Sequence, residues 1–148
     1  MNKQELLNLY NMELDELLKV SSQYIKNEIE FCSLINARNG KCSQNCKYCA
    51  QSSHYCTNIE SYPLVSIDKV KKVALEAKSH KASRFAIVTS GRTPDEGRDF
   101  QIELDMIKEI NKIEGLKSCA SIGILNEEQA KQLAEAGLTR FHHNINTA

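Results

Sequence analysis

Apolar residues recur at helical spacing through the first 26 positions of the chain. This spacing predicts one or two amphipathic helices between residues 2 and 26. Asn2 and Glu5 match a capping box at the start of the region. We treat residues 1–28 as an N-terminal helical extension. The members of its apolar stripe are Leu6, Leu7, Tyr10, Leu14, Leu17 and Leu18.

Beyond the extension, short apolar segments alternate with amphipathic stretches. Ser66 and Asn126 are placed to cap two helices, and Asn126 forms a capping box with Gln129. A third helix is predicted over 102–113. Regular alternation of strands and helices predicts parallel βα units. The predicted strands cover residues 30–37, 84–91, 116–123 and 139–146.

The predicted strands have two different faces. In the second strand, Phe85 and Ile87 alternate with Arg84, Ala86, Val88 and Ser90. An open doubly wound sheet, with helices on both faces, would bury the polar face poorly, whereas a barrel with a ligand inside would use it. We therefore predict an α/β fold, the first half of a TIM-type (β/α)₈ barrel over residues 29–148. A full barrel needs roughly 250 residues, so we expect the chain to be a fragment of a longer protein.

Cys42, Cys46 and Cys49 lie within the segment KCSQNCKYCAQSS. Three thiolates at this spacing can fold around one iron–sulfur cluster. A cubane has four irons, so three cysteines leave one iron open to a substrate or cofactor. Closed electron-transfer clusters use four protein ligands, and structural zinc sites complete a tetrahedron. The spacing therefore predicts a 4Fe–4S cluster with an open iron.

The composition of the chain indicates its possible partners and its cellular compartment. The 19 basic residues balance the 19 acidic ones, which argues against nucleic acid as a partner. The first residues are polar rather than typical of a secretory signal, and no apolar run could span a membrane. Six cysteines with close spacing then suit metal ligation in a reducing compartment. We expect a cytoplasmic protein.

Three stretches together resemble the biotin synthases of the radical S-adenosylmethionine superfamily. The resemblance runs from about residue 30 to the end, and its first stretch, which includes Tyr48 before the last cysteine of the loop, is the most specific. The stretches are CSLINARNGKCSQNCKYCAQSS (32–53), RFAIVTSGRTP (84–94), and GLKSCASIG (115–123) with EAGLTRFHHNINT (135–147).

The resemblance implies an enzyme that converts dethiobiotin to biotin by inserting sulfur between two unactivated carbons. In such an enzyme, the three cysteines hold the 4Fe–4S cluster, and S-adenosylmethionine chelates its open iron through the amine and carboxylate. One electron cleaves the sulfonium to give a deoxyadenosyl radical. The resemblance also implies an electron donor such as flavodoxin or ferredoxin, and a homodimer when the protein is full length.

The resemblance further assigns residues around S-adenosylmethionine. Thr89, Ser90 and Gly91 match the strand end that binds the methionine amine. Asn144 matches a contact to the nucleoside and the substrate. Asn146 stands where aspartate is common, keeping an acceptor for a ribose hydroxyl but losing the charge. With Tyr48, these residues are the predicted cofactor-binding set.

The family also carries an auxiliary cluster, commonly 2Fe–2S, which donates the sulfur. By resemblance, Cys119 is its strand-three ligand, but Ala86 occupies the strand-two position and cannot ligate iron. Cys32 is a candidate replacement if its face of the first strand points inward, which the pattern leaves open. The auxiliary cluster could then be a variant of the common type. An apolar packing role for Cys32 is the alternative.

Other functions remain open at this point. One is a different radical S-adenosylmethionine enzyme with the same cysteine loop. Another is a non-catalytic iron–sulfur or zinc protein, in which His54 or Cys56 would complete the ligand set. A third is a non-functional pseudogene product.

Overall fold

The structure is a computed structural model that describes residues 1–26, 28–94 and 98–144, without the side chain of Arg98. No helix within these ranges is both long and apolar enough to cross a membrane. The helices are α1 (Lys3–Tyr10), α2 (Leu14–Ser22), α3 (Ile67–Ser79), α4 (Arg98–Asn111) and α5 (Glu127–Glu135). The strands are β1 (Cys32–Arg38), β2 (Arg84–Thr89), β3 (Lys117–Ser121) and β4 (Arg140–Phe141).

The four strands form one parallel sheet in the order β1-β2-β3-β4. This order confirms the repeated βα units predicted from the alternation of strands and helices. Register places Ala86 beside Leu34 on one side and Cys119 on the other. Parallel strands run their carboxyl ends to the same edge, so loops that follow the strands meet there.

The two faces of the sheet differ as the strand pattern predicts. Phe85, Ile87 and Ala120 are fully buried and belong to the core between the sheet and α3 and α4. Arg84, Ala86 and Val88 alternate with them and are only partly buried. One face is therefore a packed hydrophobic layer, and the other is a partly exposed face on which Arg84 stands beside apolar side chains.

The predicted helix caps are confirmed. The Ser66 side chain accepts a hydrogen bond from the Lys69 amide, and capping boxes form at Asn2 and at Asn126. The apolar stripe of the extension belongs to two helices, and neither α1 nor α2 contains a buried residue. The division of the chain at residues 28 and 29 stays a prediction.

Strand ends differ from the predicted ones by a few residues. The first strand runs one residue beyond Ala37, to Arg38, while the second ends at Thr89 and the third at Ser121. Gly123 follows β3 with φ of +96°, and a Cβ there would lie 2.5 Å from the Arg92 carbonyl oxygen. The close approach of these two loops ends the ladder, because their backbones must leave the strand conformation. Residues 145 and 146 of the fourth predicted strand lie outside the described residues.

Candidate cluster and cofactor site

The cysteine loop follows β1 and is closed by its own backbone. The Cys42 amide donates to the Gln51 carbonyl at 2.9 Å, and the Ser53 amide donates to the Cys42 carbonyl at 2.8 Å. The Cys49 amide donates to the Cys46 carbonyl at 2.9 Å, which forms a turn between the last two cysteines. These bonds bring the two ends of a short segment together, so the relative positions of the three thiols are defined locally.

Polar side chains after the last cysteine support the loop from within. Ser52 is only 4% exposed. Its hydroxyl donates to the Gln44 carbonyl at 2.6 Å and accepts from the His54 amide at 3.2 Å. A ring nitrogen of His54 lies 3.1 Å from the Ser43 carbonyl oxygen. The segment that follows Cys49 therefore stabilises the loop rather than extending the ligand set.

The loop is also tied to the end of β2. The Ser90 amide donates to the Arg38 carbonyl at 3.1 Å, and the Ser90 hydroxyl donates to the Gly40 carbonyl at 2.7 Å. Arg38 Nε donates in turn to the Ser90 carbonyl at 3.0 Å. Ser90 is buried. The start of the cysteine loop and the end of the second strand are thus held as one unit.

All three thiols of the loop line one pocket of about 250 Å³ at the carboxyl ends of the strands. We call it the mouth pocket. The predicted cofactor residues Thr89, Ser90, Gly91 and Asn144 also line it, together with residues that the sequence did not single out for a cofactor role. The latter are Gln44, Gln51, Val88, Arg92, Ser121, Gly123, Ile124, His142 and His143.

The donor set of the mouth pocket fits a cluster. Cys42, Cys46 and Cys49 are free and partly exposed. Among the described residues, no three Cys, His, Asp or Glu side chains gather around a single ion position. A cubane binds each thiolate to a different iron, so its ligands stand further apart than those of one ion. Cys56 is exposed, and neither it nor His54 lines the pocket.

Two of the predicted cofactor residues have distinct surroundings. Tyr48 is 65% exposed and does not line the mouth pocket. Partial desolvation, with Cys46 and Cys49 nearby, raises the pKa of Tyr48. The Thr89 hydroxyl is buried and has no hydrogen-bond partner within the described residues. A polar ligand could satisfy it, since an unpaired buried hydroxyl is costly. Asn146 lies outside the described residues.

A second cavity, of about 520 Å³, lies beside the starts of the strands on the same partly exposed face of the sheet. We call it the floor cavity. Cys32 and Cys119 both line it, so the face of β1 that carries Cys32 does point inward. Ala86 lines it as well. Cys119 is only 2% exposed, whereas Cys32 is exposed. Val88, Ser121 and His142 line both cavities, which places the two side by side.

Arg84 lies beside the buried Cys119 thiol and belongs to a small group of charged residues. Arg84 Nη1 lies 4.0 Å from Cys119 Sγ and 3.4 Å from Thr139 Oγ1. Arg84 Nε forms an ion pair with Glu30 Oε1 at 2.8 Å, and Arg140 Nη1 lies 4.0 Å from Glu30 Oε2. The guanidinium of Arg84 holds the pKa of Glu30 below its ordinary value. Sequence reasoning missed this group, although the period of two places Arg84 on the polar face.

The superfamily follows from a comparison with protein families. Residues 38–148, more than half of the chain, match the model of the radical SAM superfamily. The chain belongs to this superfamily. Membership implies a 4Fe–4S cluster and S-adenosylmethionine as its cofactors, in agreement with the prediction from the cysteine loop.

Comparison with individual proteins gives a narrower match than the superfamily model does. The chain is 41% identical over 141 residues to a biotin synthase of Clostridium tetani, an alignment that covers 95% of this chain and 43% of that protein. It is 44% identical over 135 residues to a biotin synthase of a Sulfurihydrogenibium species, covering 91% of this chain and 40% of that one. The chain therefore spans less than half the length of these curated relatives.

A solved structure supports the architecture. The crystal structure of HydG, a maturase of the [FeFe]-hydrogenase, superposes with a TM-score of 0.69 at 21% identity. The match covers 91% of this chain and 31% of HydG. At this identity the likeness concerns the fold, and it agrees with the predicted part of a barrel.

Proposed function

We propose that this chain is the N-terminal part of a biotin synthase, an enzyme that inserts sulfur into dethiobiotin. The observation that carries the proposal is the mouth pocket, where the three loop thiols meet the carboxyl ends of the strands. Barrel enzymes place their chemistry at this end of the strands. The biotin synthases that align with nearly the whole chain support this choice within the superfamily.

Cys42, Cys46 and Cys49 are the proposed ligands of the 4Fe–4S cluster. When bound, the cluster supplies the electron that cleaves S-adenosylmethionine, which is chemistry that no side chain of the protein can perform. The protein's own part is to hold three thiolates on one short loop and to fix that loop against β2 through Ser90. Rigid support of this kind keeps the ligand geometry constant.

The proposed cofactor residues surround the same space. Thr89 and Gly91 line the pocket at the end of β2, and Asn144 lines it from the segment after β4. The buried Thr89 hydroxyl is a group that a bound cofactor could satisfy. Tyr48 and Asn146 are kept in the proposed set from the family resemblance alone. Ser90 serves the loop directly, since its hydroxyl donates to the Gly40 carbonyl.

The floor cavity is the proposed position of an auxiliary iron–sulfur cluster, 2Fe–2S or a variant. Cys119 and Cys32 would be its ligands from this chain. Ala86, which sits beside Cys119 in the sheet, offers no ligand atom. Dethiobiotin would lie between the two cavities, where Val88, Ser121 and His142 line both. In this arrangement the substrate would lie between the cofactor and the proposed sulfur source.

Partners and location complete the proposal. An electron donor such as flavodoxin or ferredoxin would have to approach the mouth pocket, whose cysteines are partly exposed. The full-length enzyme is proposed to be a cytoplasmic homodimer. The 148 residues alone would make no biotin, because the relatives carry the reaction on chains more than twice the aligned length.

The test is anaerobic reconstitution of the full-length protein with iron and sulfide. We expect a 4Fe–4S spectrum that shifts on addition of S-adenosylmethionine, and biotin when reductant and dethiobiotin are present. Cleavage of S-adenosylmethionine without biotin would indicate another enzyme of the superfamily. A colourless zinc adduct, with no response to S-adenosylmethionine, would support a non-catalytic metal protein.

A further inference from the structure

Glu30 lies just before β1 and reaches two arginines from separate strands. Its Oε1 is 2.8 Å from Arg84 Nε on β2, and its Oε2 is 4.0 Å from Arg140 Nη1 on β4. Both arginines line the floor cavity. Glu30 thus links two strands that are not neighbours in the sheet. Because Glu30 and Arg140 are both partly exposed, these ion pairs contribute little stability by themselves.

The contacts of Arg84 indicate what its pairing with Glu30 can do. Its side chain is only 13% exposed, and its Nη1 lies 4.0 Å from the Cys119 sulfur and 3.4 Å from Thr139 Oγ1. Arginine has a planar fork, so Nε can engage a carboxylate while a terminal nitrogen points elsewhere. Glu30 Oε1 contacts Nε as an ion pair at 2.8 Å, and Nε makes no hydrogen bond with any described residue, so the carboxylate restrains the guanidinium through its charge. The terminal nitrogen Nη1 then lies within reach of the thiol.

The charges of the group suit an anionic occupant. Glu30 contributes one negative charge, and Arg84 and Arg140 contribute one positive charge each, which leaves the group cationic. Iron–sulfur clusters ligated by thiolates carry negative charge, and hydrogen bonds to their sulfurs help to set their reduction potential. Partners outside the ligand sphere orient the ligands and tune the metal.

From this geometry we infer that Glu30 is a positioning residue of the floor cavity, which holds the Arg84 guanidinium against the Cys119 sulfur of a bound auxiliary cluster. The inference rests on the proposed auxiliary cluster and adds to it. Glu30 touches neither the cluster nor the substrate. It acts through Arg84, whose N–H group donates to the sulfur and offsets its negative charge.

The experiment uses the full-length protein in which Cys42, Cys46 and Cys49 are all replaced by Ala, so that retained cluster iron reports the floor cavity. After anaerobic reconstitution, we expect Glu30→Gln to accelerate cluster loss to a chelator about tenfold, the lower end of the effect of such partners. The visible and electron paramagnetic resonance spectra of the reduced cluster should also change. Glu28→Gln, an exposed neighbour, is the matched control and should change neither.

A charge swap separates positioning from simple stabilisation of the fold. Glu30→Arg with Arg84→Glu can restore an ion pair between the same positions, but it places a carboxylate beside Cys119. A merely structural role predicts that the swap recovers both thermal stability and cluster retention. Positioning predicts that retention stays at or below the level of Glu30→Gln, even where stability recovers.

Arg84→Lys covers the case in which the swap does not fold. Lysine can pair with Glu30, but it has no second arm to reach the sulfur, so retention should fall as in Glu30→Gln. Unchanged retention in Glu30→Gln or in Arg84→Lys would overturn the inference, as would recovery of retention in the swap. A parent protein that holds no cluster iron without the three loop cysteines would overturn it too. The wider proposal is judged separately, by cleavage of S-adenosylmethionine in the protein with its loop cysteines intact.

Discussion

The two cysteine groups of this chain are built in opposite ways. The mouth pocket takes its three thiols from one loop, closed by hydrogen bonds between Cys42 and its neighbours Gln51 and Ser53. The floor cavity takes Cys32 from β1 and Cys119 from β3, with Arg84 of β2 between them. The first group is local in the chain, and the second exists only when three strands are in register.

This difference has a physical consequence. A short loop closes at a small cost in entropy and keeps its geometry with few outside contacts. Residues far apart in sequence are brought together by the sheet, so anything that loosens the sheet separates them. The mouth pocket should therefore depend on its own loop, and the floor cavity on the whole core.

Replacing Cys49 by Ala should abolish the 4Fe–4S cluster and the cleavage of S-adenosylmethionine in the full-length protein. The reason is that the loop supplies only three thiols, so none is redundant. The same loss is expected for Cys42 and Cys46. Iron and sulfide analysis with the visible spectrum provides the measurement. Cys56→Ala is the control, because Cys56 is exposed and lies outside the mouth pocket. Equal loss in that control would show that the ligand assignment is mistaken.

Replacing Cys119 by Ala should remove the auxiliary cluster and biotin formation, while S-adenosylmethionine is still cleaved. The thiol is buried in the floor cavity, where no neighbouring side chain on β2 can replace it, since Ala86 stands there. Iron analysis and separate assays of the two reactions provide the measurement. Cys32→Ala should behave in the same way if Cys32 is a ligand. Unchanged auxiliary iron and turnover in that variant would leave Cys32 as a packing residue.

Replacing Ile87 by Ala should lower the free energy of unfolding by about 2–5 kcal/mol, since it opens a cavity in a fully buried position. Chemical denaturation gives this value. We also expect the auxiliary cluster to become more labile than the loop cluster. The reason is that Ile87 of β2 lies beside Ile35 of β1 and Ala120 of β3, the two strands that carry the proposed ligands of the auxiliary cluster. Leu75→Ala, on the exposed side of α3, is the control. Equal labilisation of both clusters would argue against the contrast.

Replacing Ser90 by Ala should weaken the loop cluster rather than the auxiliary cluster, which is the opposite of the effect expected for Ile87→Ala. It removes the hydrogen bond to the Gly40 carbonyl that ties the loop to β2, at a cost of about 1 kcal/mol. The loop cluster should be lost to a chelator faster, while the auxiliary cluster is unaffected. Ser53→Ala, at an exposed position of the same loop, is the matched control. A change confined to the auxiliary cluster would contradict this division of roles.

The smallest effect is expected at Glu109, which lies on α4 and away from both cavities. Its contact with Lys112, with help from Lys71 of α3, lowers the pKa of Glu109 from its ordinary value of 4.5. A lowered pKa means that the ion pairs contribute stability above pH 4.5, and that this contribution is lost as the pH falls through the folded-state pKa.

Glu109→Gln should therefore reduce the unfolding midpoint slightly at neutral pH, and the difference from the unmodified protein should vanish in acid. Thermal unfolding across a pH series measures both. The two clusters should be unchanged. If either cluster became labile in this variant, a general loss of stability could account for the results of the Ile87 and Ser90 variants. Those results would then not depend on where each substitution lies relative to the two clusters.

Much of the fold could be read from local patterns. The helix caps at Ser66 and Asn126 are where the sequence indicates, because capping depends on residues three positions apart. The two-residue period of β2 correctly separated the buried Phe85 and Ile87 from Arg84 and Ala86. Strand ends were less predictable, since β3 stops where its loop meets the Arg92 backbone from another unit.

The sequence by itself determined the cysteine loop, because the order Cys42, Cys46 and Cys49 and the loop's own hydrogen bonds are local properties of one segment. Only the tertiary structure decided the floor cavity. The pattern left the direction of Cys32 open, and it gave no sign that Glu30 would reach Arg84 or that Arg84 would reach Cys119. These contacts depend on how separate strands align, and strand register is set by the packing of the entire sheet against its helices.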